Sequence, residues 1–239
     1  AEKMFLHATY NFFDNESIFA LGYCYEKIEN YSEAIRYYEL IEDIFPEAKI
    51  NLGTLYRKVF RGKGNYDKAF KLYTEALEGV ADGPALAALY FNLAECYFEG
   101  QGIERDEKEA IFYMEEAAKR DLPEAVFKCG YYYERGIGTE IDLSKAIEYY
   151  EKAVNLGISN ALLSLKRCYE KNGDLVKLKY VLERLSDNNP DACFELADLY
   201  ERGLGVTQNF SRAGELYSKA LQMYGNMAQN EEVSKKIVI

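Results

Sequence analysis

The chain has 239 residues, 49% of them hydrophobic, with 29 Lys and Arg set against 40 Asp and Glu for a net charge of −11. So large an apolar fraction is ample for a continuous core. The acidic balance argues against nucleic acid as a partner, because neutralising phosphates needs clustered Lys and Arg, and the apolar runs are far too short for direct membrane insertion.

In chain order, Ala1-x-x-Met4-Phe5-x-x-Ala8 has the spacing of small and aromatic residues that recurs later as Ala146-x-x-Tyr149-Tyr150-x-x-Ala153. Residues 1–16 therefore read as a partial repeat entered midway, and a segment excised from a longer repeat protein is expected. Six repeats follow, near 17–45, 46–83, 84–122, 123–158, 159–189 and 190–224, with a terminal helix expected over 225–239. The clearest copies are Tyr97-x-x-Gly100-x-Gly102…Ala110-x-x-Tyr113, Tyr133-x-x-Gly136-x-Gly138…Ala146-x-x-Tyr149 and Tyr200-x-x-Gly203-x-Gly205…Ala213-x-x-Leu216. Earlier copies carry Leu21-Gly22-x-x-Tyr25 and Leu52-Gly53-x-x-Tyr56. Self-similarity at this period marks a solenoid. No Gly/Ser/Pro-rich linker interrupts it, so 1–239 is expected to be one domain.

Apolar spacings of three and four in both halves of each repeat predict two amphipathic helices, A and B. Pro46, Pro123 and Pro190 fall where a helix A should begin, and Pro84 just before one. The paired glycines suit a chain leaving a helix through a left-handed conformation. Asp106 with Glu109 reads as a capping box opening helix B. Gly22, Gly53, Ala94, Gly130 and Ala197 recur at one site on helix A, facing an Ala column on helix B, so that the axes of the two helices approach closely.

These residues resemble the Sel1-like repeat, a branch of the tetratricopeptide superfamily. Gly203-Leu204-Gly205-Val206…Ala213 and Gly136-Ile137-Gly138…Asp142-x-x-Lys145-Ala146 carry the likeness most closely. Repeats one and five have tetratricopeptide-length turns. The resemblance implies an all-α, right-handed superhelix of helical hairpins and a scaffold or adaptor role, and it implies no catalytic residue. In repeat five, Lys166, Lys177 and Arg184 are read at sites where other repeats have Gly or Ala. Either that repeat is locally distorted, or it is a basic contact point for an acidic partner.

Candidate chemistry is sparse. The five cysteines, Cys24, Cys96, Cys129, Cys168 and Cys193, read as buried small hydrophobes. Those of repeats one, three and five lie two packed layers apart, beyond disulfide reach. One His, His7, and no close Cys pair leave no metal site. The Gly-x-Gly elements follow a helix rather than a strand, so phosphate binding is not expected and no cofactor is implied. Sequons at Asn15, Asn30 and Asn209 fall in predicted loops or turns, compatible with glycosylation, while unpaired cysteines lean toward the cytoplasm.

In the superfamily, helix A lines the concave face. Two residues before the helix-A Leu (Cys129 in repeat four) lies an apolar column, Phe19, Ile50, Phe91, Phe127, Leu163 and Phe194; two after lie Tyr23, Thr54, Glu95, Tyr131, Arg167 and Asp198; five after lie Glu26, Arg57, Phe98, Glu134, Glu170 and Glu201. From these, Phe19, Tyr23, Phe91, Glu95, Phe98, Phe127, Tyr131, Glu134, Arg167, Phe194, Asp198 and Glu201 are expected to contact a partner. The groove would have an aromatic floor and an acidic rim, fitting a protein or peptide segment with apolar anchors and basic flanks; the Phe column packing between A helices is the competing reading. The protein, as a monomer or an assembly subunit, is expected to be a non-enzymatic interaction scaffold. The alternatives are a luminal subunit of an endoplasmic-reticulum quality-control complex recruiting misfolded glycoproteins, and a bacterial effector, immunity or signalling factor.

Overall fold

The computed structural model describes residues 14–60 and 62–237, with side chains described as far as Asn226. Every regular element among them is helical: α1 (Asn15–Lys27), α2 (Tyr31–Ile41), α3 (Pro46–Lys58), α4 (Lys63–Ala76), α5 (Pro84–Glu99), α6 (Glu107–Lys119), α7 (Pro123–Arg135), α8 (Leu143–Asn155), α9 (Ala161–Asn172), α10 (Leu175–Leu185), α11 (Pro190–Arg202) and α12 (Phe210–Ile237). They form two compact units divided after Asp142. Consecutive helices pack as hairpins within each, so the all-α repeat fold expected from the sequence is present. The reading of Ala1–Ala8 and of His7 lies outside the described residues. The expected helix over 225–239 is the continuation of α12, which runs unbroken from Phe210.

Local signals set the helix ends. All four prolines occupy the first helical turn, Pro84 included, since Gly83 takes the cap position before it. The missing proline N–H is harmless there because that turn has no intrahelical acceptor. Gly100, Gly136 and Gly203 end α5, α7 and α11 in the left-handed conformation, at φ of 67°, 71° and 68°. Helix B then opens on a polar cap. Asp106 accepts from the N–H groups of Lys108 and Glu109 at 2.9 and 3.2 Å. The reciprocal arm of the expected capping box is not used, because the Asp106 N–H already donates to the Tyr97 carbonyl at 3.0 Å. The same loop closure recurs from Asp142 to Tyr133 and from Asn209 to Tyr200, each at 2.9 Å.

The second glycine of each pair answers a different need. A Cβ on Gly102 would collide with the carbonyl oxygen of Tyr66, at the start of α4, and one on Gly138 with that of Glu107, at the start of α6. On Gly205 it would lie 2.7 Å from Leu175 Cβ, at the start of α10. Each loop is thus seated on the first turn of the preceding helix B, a fit open only to a residue with no side chain and a positive φ.

Within the hairpins the small site on helix A accepts a ring from helix B. A Cβ added to Gly22 or Gly53 would lie 2.7 Å from Cε1 of Tyr38 or Tyr73. Both rings are fully buried, Tyr38 among Ile18, Leu52 and Leu55, and Tyr73 among Ile50, Leu89 and Leu93. Burying a side chain of this size contributes about 2 kcal/mol each. Repeat six has Ala197 at the small site, and Tyr217 instead meets Phe194 edge to face, with ring centres 5.0 Å apart.

Three expectations need correction. Cys24 is exposed while the other four cysteines are buried. It lies two residues beyond buried Gly22, about 200° around α1, on the side away from the α2 hairpin. Asn15 begins α1 rather than lying in a loop; Asn30 and Asn209 are helix caps, accepting from the N–H groups of Glu33 and Arg212. In repeat five the cap Asp174 fixes the register of α10, and Leu178 and Leu185 take the Ala-column positions. Lys177 and Arg184 therefore fall one residue early and point outward, both exposed.

Gly22→Ala should destabilise the protein by about 2 kcal/mol through overpacking, and Gly138→Ala by at least about 2 kcal/mol as collision and left-handed strain combine. Gly214→Ala, in open space within α12, should instead stabilise by about 0.5–1 kcal/mol. Urea unfolding midpoints of the three variants check this; equal effects would contradict it. Burial also raises the phenol pKa of Tyr38, Tyr73 and Tyr132 above the ordinary 10.0, to about 12 for Tyr73. The unfolded chain then releases these protons first, so the stability they contribute is intact below about pH 10 and lost as pH rises above it. Thermal midpoints followed with tyrosinate absorbance should fall together above that pH, and a level midpoint with complete ionisation would contradict the assignment.

Candidate interaction face

The residues expected on the A-helix face divide between the two units. In the first, α5 and α7 bring several together. Lys128 of α7 donates to Glu95 of α5 at 2.5 Å, and its ammonium stands 5.3 Å from the centre of the Phe91 ring. Phe98 stacks on Tyr132 with ring centres 5.4 Å apart, and the Arg105 guanidinium lies 5.5 Å from the Phe98 centre. Phe91, Phe98 and Phe127 are half-buried, and Tyr131 is 39% exposed beneath Arg135. On α1, Phe19 sits between Tyr38 and Phe45 at 5.6 and 5.1 Å, which supports packing at that position. Tyr23 of the same helix is 47% exposed, with Lys27 above its ring.

In the first unit the carboxylates do not form an open acidic rim. Glu95 and Glu134 are 9% and 3% exposed, sunk between helices rather than standing at the edge. In the second unit, Asp198 pairs with Arg202 at 3.0 Å and Glu201 accepts from the Tyr217 hydroxyl at 2.7 Å. Phe194 is exposed, and Arg167 reaches Ser164 on its own helix.

A further column escaped the sequence reading. The residues immediately before the helix-A Leu or Cys129, namely Asn51, Asn92, Lys128 and Glu195, each reach back to the preceding repeat. Asn51 donates to the Tyr38 hydroxyl at 3.0 Å. Asn92 accepts from Arg57 at 3.1 Å and donates to Thr54 at 3.4 Å, and Thr54 shares a hydrogen bond of 3.1 Å with Tyr73. Glu195 holds Lys166 at 2.8 Å. Four polar residues at one position of an otherwise apolar helix edge were the available signal.

Arg57 is the centre of this network in the first unit. It is 6% exposed, and its hydrogen bonds go to the neutral side-chain oxygens of Asn92 and Gln101, the latter at 3.4 Å. Arg57 Nε and the Tyr132 hydroxyl are buried without a hydrogen-bond partner. Cys96, beside this cluster, has its thiol pushed up to about 12 by burial, too high to supply a thiolate nucleophile at neutral pH. Among the described residues no group of three or more His, Cys, Asp and Glu converges to hold a metal ion, and no helix is long and apolar enough to cross a membrane.

Residues 46–79, 87–122, 123–158 and 190–224 match the Sel1 repeat, and residues 17–41 match a tetratricopeptide repeat. The fold is similar to that of c5321, a protective antigen of uropathogenic Escherichia coli displaying an SLR fold (TM-score 0.70, 24% identity over 87% of this chain); the match spans 46% of that protein's chain. It is also similar to a Sel1 repeat protein from Oxalobacter formigenes (TM-score 0.68, 24% identity), covering 85% of this chain and 84% of the other. YrrB, a tetratricopeptide protein with an unusual peptide-binding site, matches with a TM-score of 0.51 at 18% identity over 82% of this chain and 96% of its own. Four matched repeats cover more than half of the residues, on a scaffold of helical hairpins whose loop glycines and notch residues follow from packing: this chain belongs to the Sel1 repeat family.

Proposed function

We propose that the protein is a non-catalytic interaction scaffold, and that the A-helix face of its first unit, across α3, α5 and α7, holds a segment of a partner protein. The observation that carries this reading is the charge buried there. Arg57, Glu95 and Glu134 are each at least nine-tenths buried, and taking ions out of water costs several kcal/mol apiece before pairing. Hairpin packing does not require them, since Gly, Ala, Leu and Tyr already form the helix contacts. Polar groups so placed give the face a fixed charge pattern beneath a bound chain, and the half-buried rings of Phe91, Phe98 and Phe127 with the exposed Tyr131 supply anchors typical of interface hot spots. YrrB's peptide-binding site is consistent with such a role for the fold. In the second unit, exposed Phe194 beside Asp198 and Glu201 offers an apolar anchor with a basic-flank preference, and Arg167 a cationic contact; exposed Tyr23 of the first unit is a further aromatic contact.

A random peptide library displayed against the full chain should yield binders whose affinity falls at least about tenfold in the Phe91→Ala, Tyr131→Ala double variant, with the thermal midpoint of that variant showing an intact fold. Selected peptides that bind the folded double variant as well as the native protein would overturn this face as the site. For the charged centre, Arg57→Met should weaken the same peptides and cost about 1–3 kcal/mol of stability, because it leaves the buried Asn92 side-chain oxygen without its donor. Undiminished binding would remove Arg57 from the site.

A further inference from the structure

The second unit carries a groove on its other face, created by the short repeat five. In the Gly-x-Gly loops the second glycine seats the loop on the start of a preceding helix B, whereas the short turn before α10 has only the helix-ending Gly173, the counterpart of the first glycine, and no second one. In the same repeat a groove of about 350 Å³ lies open between α8, α9 and α10. Its walls are apolar: Val154, Leu162, Leu165, Val176, Tyr180 and Val181. Val176 and Tyr180, one turn apart on α10, are 66% and 59% exposed.

Charge closes one end of this groove and leaves the other unsatisfied. At the first end, Glu151 accepts from the Tyr169 hydroxyl at 2.6 Å and from Lys177 at 3.2 Å. At the second, one further turn along α10 from Tyr180, stands Arg184, its guanidinium 6.0 Å from the Tyr180 ring centre. Of the three basic residues that set repeat five apart, Lys166 is paired with Glu170 and Glu195 and Lys177 with Glu151. Among the described residues Arg184 has no carboxylate within ion-pair distance, on a chain with a net charge of −11.

We propose that this groove docks a short helical segment of a partner protein, which lays two apolar side chains one turn apart on Val176 and Tyr180 and sets a carboxylate against Arg184. The stripe Val176, Tyr180, Arg184 spans two helical turns, about 12 Å, and a helical ligand repeats its own side chains at the same interval. An acidic segment is disfavoured over most of this acidic surface, so a cation beside an apolar wall, without an ion-pair partner among the described residues, also fixes its direction. The groove shares no residue with the face of the first unit and stands or falls separately.

The test titrates isotopically labelled full chain with three blocked alanine-based helical peptides. The first has Leu at two positions one turn apart and Glu one turn further, the second has Gln for Glu, and the third Ser for both Leu. Binding of the first should saturate and shift the amides of α8, α9 and α10. The Gln peptide should bind about 3-fold more weakly, as an exposed ion pair allows, and the Ser peptide at least about tenfold more weakly. Arg184→Gln should erase the difference between Glu and Gln peptides, while Tyr180→Ser weakens both; each replaces an exposed side chain and keeps the fold. No saturable binding of the first peptide, amide shifts confined to other helices, or a Glu preference that survives Arg184→Gln would each overturn the proposal.

Discussion

A tyrosine ring laid across a glycine is the constraint on which the hairpins of the first unit depend. Gly22 and Gly53 leave no room even for a methyl group, because the rings of Tyr38 and Tyr73 occupy that space. The consequence is a short distance between helix axes, and from it follow the complete burial of the Ala columns on α2 and α4 and of the leucines around them. Repeat three meets the same demand with Ala94 and Met114, both fully buried at the corresponding positions. There a small side chain is matched by a slimmer, more adaptable partner. Across repeats one to three the pair keeps its volume rather than its identity, as close packing requires.

The same rings connect the core to the A-helix face. Once across the notch, the hydroxyls of Tyr38 and Tyr73 emerge among polar side chains, Tyr38 between Glu26 and Asn51 and Tyr73 beside Thr54. From Thr54 the network passes to Asn92 and on to Arg57. The position of a buried guanidinium on α3 is thus tied to a ring anchored in α4, and the face is held in place by the packing that makes the fold. The loop glycines contribute the remaining restraint by seating each loop on the preceding helix B. The short turn of repeat five has no such second glycine, and that repeat carries an apolar groove.

Much of this is legible in sequence because it is local or periodic. Left-handed glycines, helix-opening prolines and the Ala and Leu columns each leave a mark within one repeat, and the structure follows them closely. What depends on the neighbouring repeat is not legible in that way. Glu95 and Glu134 look like rim residues on a helical wheel, yet both are buried, Glu95 against Lys128 of the next helix A. Cys24 and Cys96 occupy the same position of the repeat but differ in exposure, Cys24 exposed and Cys96 buried. The register of α10 was readable from Asp174, four residues before Leu178 as Asp106 is before Ala110. It was obscured because Leu stands where other repeats keep Ala.

The most direct measurement of the central claim is a thermodynamic cycle between Gly53→Ala and Tyr73→Met, which converts the pair of repeat two into that of repeat three. If ring and notch are one packing unit, each single variant loses about 2 kcal/mol, and the double variant recovers at least about 1 kcal/mol of their sum through coupling between contacting residues. Additive losses, with no recovery in the double variant, would contradict the account.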